Sequence, residues 1–172
     1  EFRRVLFRSG LFELRGVSHV EIEGLTVRNT PGSGIFARDG GSNIILQGNT
    51  TINTARSGIG LWECTDVAVL GNTVEQAGQV AEGAGIQLVD AEDFEVRENL
   101  VSTVGTAEFG EDGISVARAS SSGVVAANEV AGCSDRGIVM EAWEETTLSD
   151  VTVTDNMVTD SGMGIAVYPG IG

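Results

Sequence analysis

The chain has 172 residues, with 24 glycines, two prolines, two cysteines, a single histidine and no lysine, and its net charge is −15. One domain is expected at this length. So acidic a surface repels phosphate backbones, which argues against nucleic acid or an anionic bilayer as partner, and no apolar run is long enough for a transmembrane segment.

Residues 1–9, Glu-Phe-Arg-Arg-Val-Leu-Phe-Arg-Ser, match the translation of a common sequencing adapter. They are read as non-native and set apart, as fusion scars are. Residues 10–172 are read as a single domain, incomplete at both ends.

Three short apolar segments then recur in rounds. The first round runs Val20/Ile22, a Gly24-Leu25 corner, Val27, then Gly34 before Ile35/Ala37. The second runs Ile44/Leu46, Gly48-Asn49, Ile52, then Gly58 before Ile59/Leu61. Val67/Val69, Gly71-Asn72, Val74 and Gly85-Ile86/Leu88 make the third, and Phe94/Val96, Asn99, Val101 and Gly113-Ile114/Val116 the fourth. The fifth is Val124/Ala126, Asn128, Val130 and Gly137-Ile138/Met140, and the sixth Val151/Val153, Asn156, Val158 and Gly164-Ile165/Val167.

The Gly-Ile pairs are 24, 27, 28, 24 and 27 residues apart. A period of this size marks a solenoid, and apolar residues at i and i+2 mark strands with one face inward. Three strands per round, stacked at ~4.8 Å, make six coils of a rod on the order of 29 Å long. Asn tolerates left-handed corners, and stacked Asn side chains bond one another as amide ladders do. Leu25 replaces the Asn in the first round, so a less regular turn is expected there. No 3.6-residue stripe supports a helical solenoid.

Cys64 and Cys133 fall about three coils apart at different phases. Roughly 14 Å of stacking separates them, too far for a disulfide. His19 sits near a strand start, a turn or core position; its isolation argues against a Ser-His-Asp triad or a zinc site.

The Gly-Asn-x-Val … Gly-Ile-x-Leu rhythm, from about Ser18 to Val167, resembles the right-handed parallel β-helix repeats of the pectin-lyase-like superfamily. The resemblance implies an all-β, right-handed parallel β-helix of about six coils of 24–28 residues; the adapter-like start and the stop at Gly170-Ile171-Gly172 in mid-repeat are read as marking a truncated fragment. It also implies a secreted or cell-surface protein acting on extracellular glycans as a polysaccharide lyase or glycoside hydrolase. That superfamily also holds epimerases, esterases, phage tailspikes and non-enzymatic repeats, so a non-catalytic adhesin, spike or glycan-binding stalk is the alternative. A copper-maturation protein with similar repeats is a weaker third reading, because Met and His ligands are scarce.

Registering the repeats puts Arg38, Trp62, Val89, Ala117, Glu141 and Tyr168 in one column, four residues past Gly and outward by alternation. The next column is Asp39, Glu63, Asp90, Arg118, Ala142 and Pro169, and Trp143 follows Glu141 by two. Aromatic faces stack on sugar rings and an Arg fork holds a uronate carboxylate. Substrate binding is therefore expected at Arg38, Trp62, Glu63, Asp90, Trp143 and Tyr168. Longer segments at 76–84 and 103–112 carry Glu82, Glu108, Glu111 and Asp112, and are expected to wall a cleft over the coils of Gly85, Gly113 and Gly137.

From Glu111 to Trp143 the chain resembles a glycan-active subset with an acid and a Lys in one strand and acid-Ala-Trp in the next. Glu141-Ala142-Trp143 fits the second part; Ser115 and Ala117 stand where the acid and Lys belong. Glu141 and Asp112 are the leading acid/base pair. Arg118 is a candidate lyase base, since some pectate lyases use Arg. The polygalacturonase segments Asn-Thr-Asp, Asp-Asp and Gly-His-Gly and the alginate-epimerase Asp-Pro-His are absent. No cofactor is certain. Ca²⁺ is possible given the exposed carboxylates, although no Asp-x-Asp-x-Asp-Gly loop occurs.

Overall fold

The computed structural model describes residues 10–143 and 145–168; the readings of residues 1–9 and of Pro169 onward lie outside them. The chain opens with β1 (Gly10–Arg15), β2 (Ser18–Glu23) and β3 (Thr26–Thr30). The next coils bring β4 (Ser33–Arg38), β5 (Ser42–Gln47), β6 (Thr50–Thr54), β7 (Ile59–Trp62), β8 (Thr65–Leu70) and β9 (Thr73–Glu75). Then follow β10 (Ala84–Val89), β11 (Glu92–Arg97), β12 (Leu100–Ser102), β13 (Asp112–Ala117), β14 (Ser121–Ala126) and β15 (Glu129–Ala131). The last are β16 (Arg136–Glu141), β17 (Ser149–Thr154), β18 (Met157–Thr159) and β19 (Met163–Tyr168).

Each strand pairs in parallel with its counterpart one coil away. The first sheet has seven strands, β1-β4-β7-β10-β13-β16-β19, and the second and third have six each. This is the expected all-β parallel solenoid of about six turns. No helix long and apolar enough to cross a membrane occurs among the described residues.

The core is a stack of ladders. Ile35, Ile59, Ile86, Ile114 and Ile138 align in the first sheet and are wholly buried. The Gly before each Ile serves close packing against the third sheet. A Cβ on Gly58 would lie 2.8 Å from the Gly85 carbonyl and on top of the Val74 side chain. The Gly-Ile marker thus records how little space separates two sheets at a corner.

The second corner uses backbone conformation instead. Gly24, Gly48 and Gly71 have φ of 66°, 58° and 57°, as expected, and Glu98, Ala127 and Asp155 hold the same left-handed turn in later coils. The Asn that follows is buried. Asn72 Nδ2 donates to Asn99 Oδ1 at 3.0 Å and to the Leu46 carbonyl at 2.8 Å. Its Oδ1 accepts from both the backbone N–H and Nδ2 of Asn49, at 2.9 and 3.0 Å. The pattern repeats at Asn99 and Asn128, and Leu25 enters it only through its N–H to Asn49 Oδ1. Every polar atom of an interior carboxamide is matched, which is what a buried polar group requires.

Two expected inward positions shift by one residue. In the third sheet Thr51, not Ile52, pairs with Val27 and Val74 and faces the core; Ile52 pairs with Arg28 and Glu75. Asn49 sets this register, and the interior slot lies two residues past each Asn. In the second sheet Gly123 and Val125 pair with Phe94 and Val96, so Val124, which pairs with Glu95, faces out. Gly123 leaves the space that the Phe94 ring fills.

The longer segments 76–84 and 103–112 stack on each other: Gly105 N–H donates to the Ala77 carbonyl at 2.8 Å. Glu111 lies buried across them, packed on Gly78 and Gly105, and accepts from Gly83 N–H at 2.9 Å. Burial pushes its carboxyl up to about 7; the Gly83 N–H pulls the other way, Asp112 and Glu82 add to the rise, and Arg56 opposes it. The connection from β16 to β17, residues 142–148, is also longer than those joining the corresponding strands of the earlier coils, and was not singled out from the sequence. Cys64 and Cys133 are free and buried, and burial pushes both thiols up to about 11.

Three outcomes follow. Replacing Asn99 with Ala removes the acceptor of two Asn72 N–H groups and the donor to the Val69 carbonyl, and should cost about 3–5 kcal/mol in urea unfolding. A loss below about 1 kcal/mol would mean the ladder carries little of the stability. The Thr51 hydroxyl is buried without a partner among the described residues, so Thr51→Val should raise stability by about 1 kcal/mol, and an unchanged or lower midpoint contradicts this. Because the folded carboxyl of Glu111 is raised from 4.5 to about 7, its stabilising contribution is present below pH 4.5 and is lost as pH rises through 7. Glu111→Gln should therefore flatten the stability slope across that window; an unaltered slope assigns it to other groups.

Candidate functional site

The outward side of the first sheet is a grid of three columns. Because Ile35, Ile59, Ile86, Ile114 and Ile138 face in, Phe36, Gly60, Gln87, Ser115 and Val139 lie on the other side of the sheet between them, aligned by the ladder; of these only Gln87 is half-exposed, and the others are buried. The next outward column is the expected one. Trp62 pairs with Val89, Val89 with Ala117, Ala117 with Glu141 and Glu141 with Tyr168, and Arg38 precedes them beside Trp62. The third column is Ser33, Ser57, Ala84, Asp112, Arg136 and Met163, the residues just before each Gly.

Two features stand on this grid. Toward the N-terminal coils, Phe36 and Trp62 meet edge to face with centroids 5.4 Å apart and planes at 83°. Gly60 lies under the Phe36 ring, and a Cβ there would come within 2.7 Å of it. Ser33, Arg38, Arg56, Ser57 and Gln87 complete a notch of about 40 Å³. Water-sized space of that volume admits a few solvent molecules. A larger ligand would lie over the notch instead of inside it. Ser57 Oγ donates to Gln87 Oε1 at 3.1 Å and Trp62 Nε1 approaches the same oxygen at 3.4 Å.

The second feature lies two to three coils away. Arg136, immediately before a Gly-Ile pair, grips Asp112 with Nε at 2.7 Å and Nη2 at 3.0 Å. Its Nη1 reaches Glu141 at 3.4 Å, its Nε lies 3.2 Å from Asp135, and the Tyr168 ring covers it at 5.4 Å. Burial pushes the Asp112 carboxyl up, against the pull of Arg136. Asp112 and Glu141, expected as a pair from separate strands, are thus brought to one guanidinium. Arg136 was missed; its only sequence signal is that it stands in the same pre-Gly column as Asp112.

The remaining expected residues are spread along the flank. Asp39, Glu63, Asp90 and Arg118 form a left-handed turn column with φ of 65°, 55°, 51° and 63°. Arg118 pairs with Asp90 at 3.3 Å, and Asp90 also accepts from Ala119 N–H at 3.1 Å. Trp143 is 37% exposed at the start of the 142–148 connection, beyond the grid. The notch itself lies over the coils of Gly34, Gly58 and Gly85, nearer the N-terminus than the expected cleft. Among the described residues no group of three or more His, Cys, Asp or Glu is placed to hold a metal ion, and the Asp112 and Glu141 carboxylates converge on a guanidinium. This donor set does not fit a Ca²⁺ centre.

Solved structures with the same fold include the full-length tailspike protein 2 of an Escherichia coli O157:H7 bacteriophage, at 12% identity and a TM-score of 0.58, over 90% of this chain and 28% of that one. The enzymatically active domain of bacteriophage CBA120 tailspike protein 2 aligns at 11% identity and a TM-score of 0.53, over 90% of this chain and 31% of that one. The chain therefore spans less than a third of the length of either. No curated protein matches by sequence. The family described as the right-handed β-helix region matches residues 9–170, and with its three parallel sheets and in-register ladders the chain belongs to that family.

Proposed function

We propose that the outward face of the first sheet binds an extended glycan at a cell surface or in the extracellular space, with the Phe36–Trp62 notch as its anchor. The observation that carries this reading is the edge-to-face aromatic pair held on a rigid ladder beside Arg38, Ser57 and Gln87. A sugar ring presents C–H groups to an aromatic face and hydroxyls to its rim, and this notch offers both surfaces. A column of side chains repeating at ~4.8 Å suits a ligand that is itself a repeating chain. The resemblance to tailspikes, one with an enzymatically active domain, supports the same class.

Cleavage is the second reading, as a polysaccharide lyase or glycoside hydrolase. It draws on Asp112, Glu141 and Tyr168 gathered around Arg136, further along the same face. There Glu141, half-buried, would act on a bond that Asp112 and Arg136 position, and Tyr168 would hold the sugar beside it. Arg118, 3.3 Å from Asp90 on the flanking turn column, would act as a lyase base only apart from this cluster.

Affinity electrophoresis of the full chain against a polysaccharide panel tests both. Trp62→Ala should weaken binding by about tenfold or more, and binding that survives it moves the anchor elsewhere. If cleavage occurs, Glu141→Gln should abolish turnover, read as reducing ends or as the ultraviolet absorbance of unsaturated uronates, while binding persists. Turnover unchanged in that variant removes Glu141 from the chemistry.

A further inference from the structure

We infer that the glycan carried by this face is electrically neutral and that polyuronates are excluded, which narrows the cleavage reading from lyase or hydrolase to hydrolase. The inference rests on the glycan-binding reading above and names its ligand class. Arg38, Arg118 and Arg136 are each already matched to a carboxylate of the protein. Arg38 donates from both Nε and Nη2 to Glu13 Oε1, at 2.8 and 2.6 Å, with its plane over the Phe36 ring. Arg136 is forked onto Asp112 and shared with Asp135 and Glu141. Arg118 faces Asp90. Arg56 is not without a partner, and its charge acts on the Glu111 carboxyl.

A uronate carboxylate would have to displace one of these half-buried partners and leave it uncompensated. It would do so against a chain with no lysine and a net charge of −15. The groups that remain for a ligand are uncharged. Ser57 Oγ and Trp62 Nε1 are both directed at Gln87 Oε1, so neither engages the Gln87 Nε2 donors. Gly60 keeps the Phe36 ring flat against the sheet. The half-buried Trp62 ring and Gln87 amide can meet a hydroxylated ring without reading charge.

The test uses the full chain against galactomannan, xyloglucan and mixed-linkage β-glucan as neutral probes and polygalacturonate and alginate as anionic ones. Binding is measured at about 0.05 and 0.5 M salt, on either side of the screening of surface charge. The expected result is binding to a neutral probe with a Kd that changes by less than about twofold with salt, and about tenfold weaker binding in Trp62→Ala than in Trp62→Phe. Glu13→Gln frees the Arg38 fork and should raise polygalacturonate binding by about tenfold at low salt; no gain overturns the role given to that ion pair. Polyuronate binding by the unaltered chain, lost at high salt and in Arg38→Ala, overturns neutrality while leaving the glycan reading intact. Binding to neither class removes both.

Discussion

The row of buried asparagines sets the geometry on which the rest depends. Asn72, Asn99 and Asn128 each donate twice and accept twice through their carboxamides, matched within the row and by a backbone carbonyl of the preceding coil. A one-residue slip in any coil would turn its Asn outward and orphan several buried groups, at about 1–3 kcal/mol each. Apolar ladders tolerate small offsets; a saturated amide row does not. Register is therefore held most firmly at one corner and transmitted from it to three sheets.

The outward face inherits that precision. Columns such as Trp62, Val89, Ala117 and Glu141 align because the core beneath them is in register, so aromatic, amide and ionic groups recur at the spacing of the coils. Its charges are organised inward. Arg38, Arg118 and Arg136 each pair with carboxylates of neighbouring coils, which stitches the coils together.

Much of this was legible in the sequence because one rule repeats. Gly-Ile pairs marked close packing, Asn marked the corner, and counting four residues past Gly reproduced the ladder from Trp62 to Tyr168. Errors arose where local apolarity outweighed register. Ile52 looks like a core residue beside Thr51, and Val124 like one beside Gly123, yet the coil-to-coil pairing puts Thr51 and Gly123 inside. Arg136 escaped notice because its importance lies in reaching Asp112, 24 residues earlier, and Glu141, five later. The notch left no signal in the sequence, because Gly60 makes room for the Phe36 ring by having no side chain and the long segments lie elsewhere along the axis.

The amide row also has a sense. Every Asn-to-Asn bond runs from the N–H or Nδ2 of an earlier Asn to the Oδ1 of a later one, from Asn49 through Asn156. The row is thus a chain of aligned dipoles with a donor side and an acceptor side, in which each bond polarises the next. Whole coils can be duplicated or deleted within it, since any unit that accepts on one side and donates on the other restores the line. A coil inserted in the reverse sense would set oxygen against oxygen. Lengthening of this architecture in evolution is therefore modular in number and fixed in direction.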